Sequence, residues 1–154
     1  MNIWTGEIGT LQTLAMMKQL ALGAQNSQKL CNLVMSLPFY APDIVQKVDQ
    51  FLRSKFTYMS EEIETLVAPE YMLMALENNG AISGDCDDIS TLQGAIYKCL
   101  GIPVRFVAIR SQRDNPNYDH VFSEVKQGDL WIPYDVTLPL GFHIQYYSRV
   151  AMEV

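Results

Sequence analysis

Cys86 stands in the stretch Gly84-Asp85-Cys86-Asp87-Asp88-Ile89-Ser90, at the predicted start of the most regular helix in the chain. A thiol in the first helical turn meets unpaired backbone N–H groups and the positive end of the helix dipole, which favour a thiolate nucleophile. Asp85, Asp87 and Asp88 act in the opposite direction, because carboxylates beside a thiol raise its pKa. A cationic partner resolves the conflict. An imidazole held by a carboxylate would serve as base and orienter for nucleophilic acyl transfer. Without one, Cys86 reads as a buried apolar thiol and the aspartates as ordinary charges of a helix start.

His120 and Asp135 supply that partner if two predicted strands, His120 to Lys126 and Leu130 to Val136, form a hairpin. A two-residue turn at Gln127-Gly128 sets Lys126 opposite Asp129, Glu124 opposite Trp131, Phe122 opposite Pro133 and His120 opposite Asp135. Opposed side chains on one face have Cβ atoms ~4.5–5.5 Å apart, within reach of an imidazole–carboxylate hydrogen bond. Pro133 conflicts with this register. It falls at a hydrogen-bonded position without a donor, so either a bulge intervenes or the loop lengthens and the pairing shifts.

The elements that carry these residues divide by period. Ile89, Leu92, Ile96 and Cys99 form one apolar stripe over Cys86 to Leu100, with Asp85 as N-cap, Gly101 as stop and Pro103 beyond. Upstream, Thr10 opens a helix closed by Gly23, Asn26 or Ser27 opens a second that stops at Pro38, and Pro42 begins a third reaching Phe56. After an acidic connector, Ser60 to Glu64, Pro69 begins a fourth that Gly80 ends. Beyond Gly101 the period falls to two, over Pro103 to Ile109 and then the hairpin. Helices first and strands second predict an α+β fold with a small antiparallel sheet.

Composition narrows the functional classes. The chain has 154 residues, 49% hydrophobic and 18% charged, with a formal net charge of −6. That length and balance predict one globular domain over 1–154, and the negative charge argues against nucleic acid or an anionic membrane surface as partner. No stretch has the length and apolarity of a membrane span, and the N-terminus lacks the pattern of a signal peptide. A soluble, cytoplasmic protein is the expectation. Cys31, Cys86 and Cys99 have no metal-ligand spacing, and Cys31 and Cys99 read as small buried hydrophobes in a reducing compartment. No metal and no cofactor are expected, and Asp85, Asp87 and Asp88 read as capping charges, since a helix start supplies no oxygen-rich loop for a cation.

Four blocks in order resemble the transglutaminase-like superfamily: Gly84-Asp85-Cys86-Asp87-Asp88, Leu100-Gly101-Ile102-Pro103-Val104-Arg105, Asp119-His120-Val121-Phe122-Ser123-Glu124-Val125 and Trp131-Ile132-Pro133-Tyr134-Asp135-Val136-Thr137. The short form with a helical lead-in resembles members encoded by bacteria and their phages. The resemblance implies a papain-like core over 58–137, after a helical lead-in over 1–57 and before a C-terminal extension over 138–154. It implies Cys86 as nucleophile, His120 as base and then acid, and Asp135 as orienter. It also implies oxyanion donors at the helix start, with Tyr58 or Tyr71 as candidates for a second donor. Asp85 and Asp88 would support the loop that places Cys86, and Trp131 would line the cleft edge. The implied activity is thioester-mediated acyl transfer on a peptide or amide: thiol protease, deamidase or transglutaminase. Hydrolysis ranks first because no pattern marks an amine-donor site. The alternative is a non-catalytic assembly module, such as a phage virion component with partners in a larger complex.

Overall fold

The chain folds as helices followed by strands: α1 (Gly6–Ala24), α2 (Gln28–Ser36), α3 (Ile44–Lys55), β1 (Phe56–Tyr58), α4 (Pro69–Asn79), β2 (Ile82–Gly84), α5 (Cys86–Cys99), β3 (Val104–Arg110), β4 (His120–Gln127), β5 (Leu130–Tyr134) and β6 (Ser148–Glu153). The structure is a computed structural model and describes residues 6–37, 43–60, 62 and 65–154. It bears out the α+β class with an antiparallel sheet. Among the described residues no helix is long and apolar enough to cross a membrane.

α5 is the centre of the packing. Its sequence suggests one apolar stripe, yet every residue from Asp87 to Tyr97 is buried. The difference arises because α1 to α4 contact it on some sides and β3 and β4 on another. Its polar side chains are accommodated by bonds inside that shell. Thr91 Oγ1 donates to Asp87 O at 2.7 Å and Tyr97 Oη to Val45 O at 3.2 Å. Buried polar groups satisfied in this way are tolerated where unpaired ones are not.

Local signals set most helix ends. Ser27 caps α2, its Oγ accepting from Leu30 N at 3.1 Å. Pro69 begins α4, and Gly80, with φ 70°, ends it in the left-handed conformation that glycine adopts without strain. α1 already runs at Gly6, ahead of the expected Thr10 cap, because Thr10 and Thr13 are buried within the helix. Pro38 and Pro42 lie outside the described residues.

The four-stranded sheet has the order β5-β4-β3-β6 with all neighbours antiparallel, and β1 pairs with β2 in a separate parallel ladder. β1, β2 and β6 are absent from the sequence expectation. Along β4, Val121 and Val125 join the main core, whereas Phe122 packs with Val107 and Ile109 on the other face.

The hairpin corrects the predicted register. Gln127 pairs with Leu130 and Glu124 with Pro133, so the turn is Gly128-Asp129 and the pairing moves by two residues. Gly128 has φ 62°, the conformation that such a tight turn requires. Pro133 explains the shift. Counting from the turn, hydrogen-bonded pairs alternate, and Pro133 now falls at a non-hydrogen-bonded pair on an edge strand, where its missing N–H costs nothing. A shift of two keeps each side chain on its face, so His120 and Asp135 stay on the same side, diagonal rather than directly opposed.

α5 and β3 approach closely at Gly94. A Cβ there would stand 2.5 Å from Phe106 Cζ and 2.6 Å from Phe106 Cε1, in a fully buried ring. Gly94→Ala therefore sets a helix-propensity gain of about 1 kcal/mol against overpacking of about 1–3 kcal/mol. The expected result is a Tm lowered by a few degrees in calorimetry; an unchanged or raised Tm would show that the ring moves aside freely.

Candidate active site

The start of α5 is built by three aspartates and a glycine. Asp85 and Asp88 form a reciprocal capping box, in which Asp85 accepts from the Asp88 backbone and Asp88 Oδ2 from Asp85 N at 3.4 Å. The fully buried Asp88 also accepts from Val67 N through Oδ1 at 2.7 Å, which ties the connector after β1 to the helix start. Gly84 permits this closeness, since a Cβ there would lie 2.7 Å from Asp88 Oδ2. The capping box engages the N–H groups of Asp85 and Asp88 and does not use that of Cys86.

α5 is docked on β4 by two side-chain bonds. Ser90 Oγ donates to Val121 O and Ser123 Oγ to Ser90 O, each at 3.4 Å. This sets Cys86 beside the first residues of β4, where the Val121 backbone, one residue past His120, hydrogen-bonds its sulfur. Burial pushes the Cys86 thiol well above the usual cysteine range. The Val121 bond opposes that shift, and the charges of Asp87, Asp85 and Asp135 add to it. The helix dipole alone therefore leaves Cys86 a neutral thiol.

His120 begins β4 and stacks on Phe122, with ring centroids 6.1 Å apart. Its Nε2 lies 2.5 Å from Asp135 Oδ2. The other carboxylate oxygen, Asp135 Oδ1, accepts from Thr137 N at 2.9 Å and Thr137 Oγ1 at 2.7 Å. Burial works to raise the Asp135 pKa, but the hydrogen bond and charge of His120 and the two Thr137 bonds outweigh it and hold the carboxyl below the usual carboxylate range. In a neutral imidazole, an ionised Asp135 accepts from Nε2–H and the lone pair falls on Nδ1.

The other expected site residues are more scattered. Tyr58 pairs with Gly84 across the parallel ladder, two residues from Cys86, and is 53% exposed, which makes it rim rather than core. Tyr71 lies on α4, 69% exposed. Trp131 stacks under Arg105 at 4.4 Å, four residues and about 13 Å along the strand direction from Asp135. It belongs to an ion-pair network in which Arg105 and Arg149 both reach the buried Glu124, at 2.6 and 2.9 Å. Cys31 and Cys99 are half-buried rather than buried, with their sulfurs 3.9 Å apart.

A groove not visible in the sequence opens beside His120. It is a cavity of ≈ 660 Å³ lined by His120 and Asp119 together with Leu138, Phe142, His143 and Ile144 of the segment before β6. Burial works to raise the Asp119 pKa, but the bonds from Ser111 and Asn115 together outweigh it and hold the carboxyl below the usual range. The aspartate oxygens of Asp85, Asp87 and Asp88 lie within 4.8 Å of one another, close enough to share a cation. The capping bonds of Asp85 and Asp88 and the positive helix end that all three surround account for that clustering without one.

Residues 37–136 match the sequence model of the Transglutaminase-like superfamily, well over half of the chain. The chain belongs to that superfamily. The fold agrees. A candidate cysteine protease from Cytophaga hutchinsonii is 18% identical with a TM-score of 0.59, over 87% of this chain and 50% of its own. A candidate protease from Parabacteroides distasonis is 11% identical with a TM-score of 0.57, over 80% of this chain and 26% of its own. This transglutaminase-like chain thus spans half the length of the first and about a quarter of the second. No curated protein matches it.

Proposed function

We propose that this transglutaminase-like chain performs cysteine-dependent acyl transfer on a peptide or amide substrate through a thioester. The observation that carries the reading is the 2.5 Å contact between His120 Nε2 and Asp135 Oδ2. It commits one imidazole nitrogen to the carboxylate and leaves the other as a base, on the strand against which Cys86 packs. In the attack step His120 Nδ1 takes the Cys86 proton as the sulfur bonds to the substrate carbonyl, and Asp135 stabilises the imidazolium. The oxyanion is received by the Cys86 N–H at the helix end. His120 returns the proton to the leaving amine, and water or a second amine then cleaves the thioester. Since both amine and water exchange protons with His120, the groove of Leu138, Phe142 and Ile144 is their proposed path. The helical lead-in over 1–57, the core over 58–137 and the segment over 138–154 are proposed to act as one domain.

The test is the rate of iodoacetamide labelling of Cys86 against pH, with Cys31 and Cys99 followed separately by peptide mass. At pH 7 the wild type is expected to label ~10²-fold or more faster than His120→Ala, the contribution of a positioned base. The same slow rate in both proteins sinks the enzymatic reading.

The upward-shifted Cys86 thiol favours one second reading, a protein-interaction or structural module that keeps the fold without the chemistry. On that reading Cys86→Ala preserves every assembly function of the folded protein.

A further inference from the structure

We infer that Arg53, on α3, is a positioning residue for the His120–Asp135 pair. The inference rests on the acyl-transfer reading for its consequence and on geometry for its substance. β5 ends at Tyr134, so the ladder with β4 does not extend to Asp135, the residue that must be placed most accurately. Arg53 takes over where the ladder stops. Its Nη2 donates to Asp135 O, and its Nη1 donates to Leu138 O and, at 3.5 Å, to Val136 O. Its Nε donates at 2.7 Å to Asp49 Oδ2, one helical turn earlier on α3. Both partners are largely enclosed, with side-chain exposures of 20% for Arg53 and 3% for Asp49.

The chemistry of the guanidinium suits the task. It is planar and permanently charged, and its donors point in fixed directions, so one group can hold a carboxylate on its own helix and three carbonyls of a turn 82–85 residues away. An ordinary i,i+4 surface pair needs none of those carbonyl bonds. With the main chain of Asp135 held from α3, its carboxylate is left to two sets of donors: Thr137 on Oδ1 and His120 on Oδ2. The titratable groups that face this cluster include Asp49 and Arg53 from α3, Cys86 and Tyr97 from α5, His120 from β4 and Tyr134 from β5. Arg53 touches no reacting atom in this scheme. It acts through Asp135, which orients His120.

The test uses the full chain and two readouts. The first is the ¹⁵N spectrum of the imidazoles, simple to assign because the chain has 2 histidines. In the wild type His120 is expected to hold its proton on Nε2. Arg53→Lys keeps a cation for Asp49 but loses the fork, and Arg53→Met loses both. In each, the expected result is a folded protein whose His120 averages its tautomers. The second readout is Cys86 labelling at pH 7, expected to fall about tenfold or more with the loosened geometry. Folded variants that keep a fixed His120 tautomer and label within twofold of wild type would overturn the inference. Loss of the fold in Arg53→Lys would also overturn it, since the carbonyl bonds that lysine cannot make would then hold the fold as a whole and not the His120–Asp135 geometry. The imidazole spectrum does not pass through Cys86. A wild type that labels no faster than His120→Ala therefore sinks the acyl-transfer reading, while the spectrum still decides the role of Arg53.

Discussion

Asp135→Asn is expected to slow Cys86 labelling at pH 7 by about 10²- to 10⁴-fold while leaving the fold in place. The reason lies in how the carboxylate is shared. Oδ1 accepts from both Thr137 N and Thr137 Oγ1, whereas Oδ2 faces His120 Nε2. An amide in that position keeps its carbonyl oxygen on the two Thr137 donors and turns its NH₂ toward Nε2. Nε2 must then be the acceptor, the proton moves to Nδ1, and the nitrogen required as base is lost. The turn itself is held by main-chain bonds to Arg53 and does not depend on the side-chain charge. The same variant has a pH signature. A carboxyl whose folded pKa lies below its unfolded value adds stability that is present above the unfolded pKa and is lost as pH falls through the folded one. Acid unfolding of the wild type should therefore be steeper below the usual carboxylate range than that of Asp135→Asn. A variant that labels as fast as wild type at pH 7 would remove Asp135 from the mechanism.

The parts of the site that were legible in sequence are those fixed by local rules. The cap at Asp85, the stripe through Ile89, Leu92 and Ile96, and the stop near Gly101 specify α5 from neighbouring residues alone. The hairpin was legible in face but not in register. Parity decides which side chains share a face, and an error of two residues preserves parity. Pro133 already signalled that error, because only one of the two turn placements spares a hydrogen bond. β1 and β2 are three residues each and pair in parallel across an intervening helix, so neither length nor alternation marks them. β6 follows a segment with no period and gains its place by pairing with β3, from Arg105–Glu153 to Arg110–Ser148. Arg53 was the least legible. On α3 it looks like any solvent-facing helix residue, and its distant acceptors are backbone carbonyls, which carry no side-chain signal in sequence. The groove beside His120 was hidden for a related reason: Leu138, Phe142 and Ile144 come from a loop whose path only the packed sheet determines.

Asp88→Ala is expected to cost about 3–5 kcal/mol of stability. Asp88 is fully buried, and its two oxygens serve different pieces of chain: Oδ1 accepts from Val67 N and Oδ2 from Asp85 N. Removing the carboxylate strands the buried N–H of Asp85 and the part-buried N–H of Val67, each worth about 1–3 kcal/mol when left unpaired, and strips a favourable charge from the helix N-terminus. For a chain of this size that corresponds to a Tm lower by roughly 10 °C. Asp88→Asn separates the two bonds. Its carbonyl oxygen can still accept from Val67 N, but its NH₂ then meets the Asp85 N–H donor to donor, so about half of the loss should remain. A Tm for Asp88→Ala within 2–3 °C of wild type, judged against the size scaling of unfolding, would mean that water reaches both N–H groups. The aspartate would then be a surface cap and not the bond that joins the connector after β1 to the helix that presents Cys86.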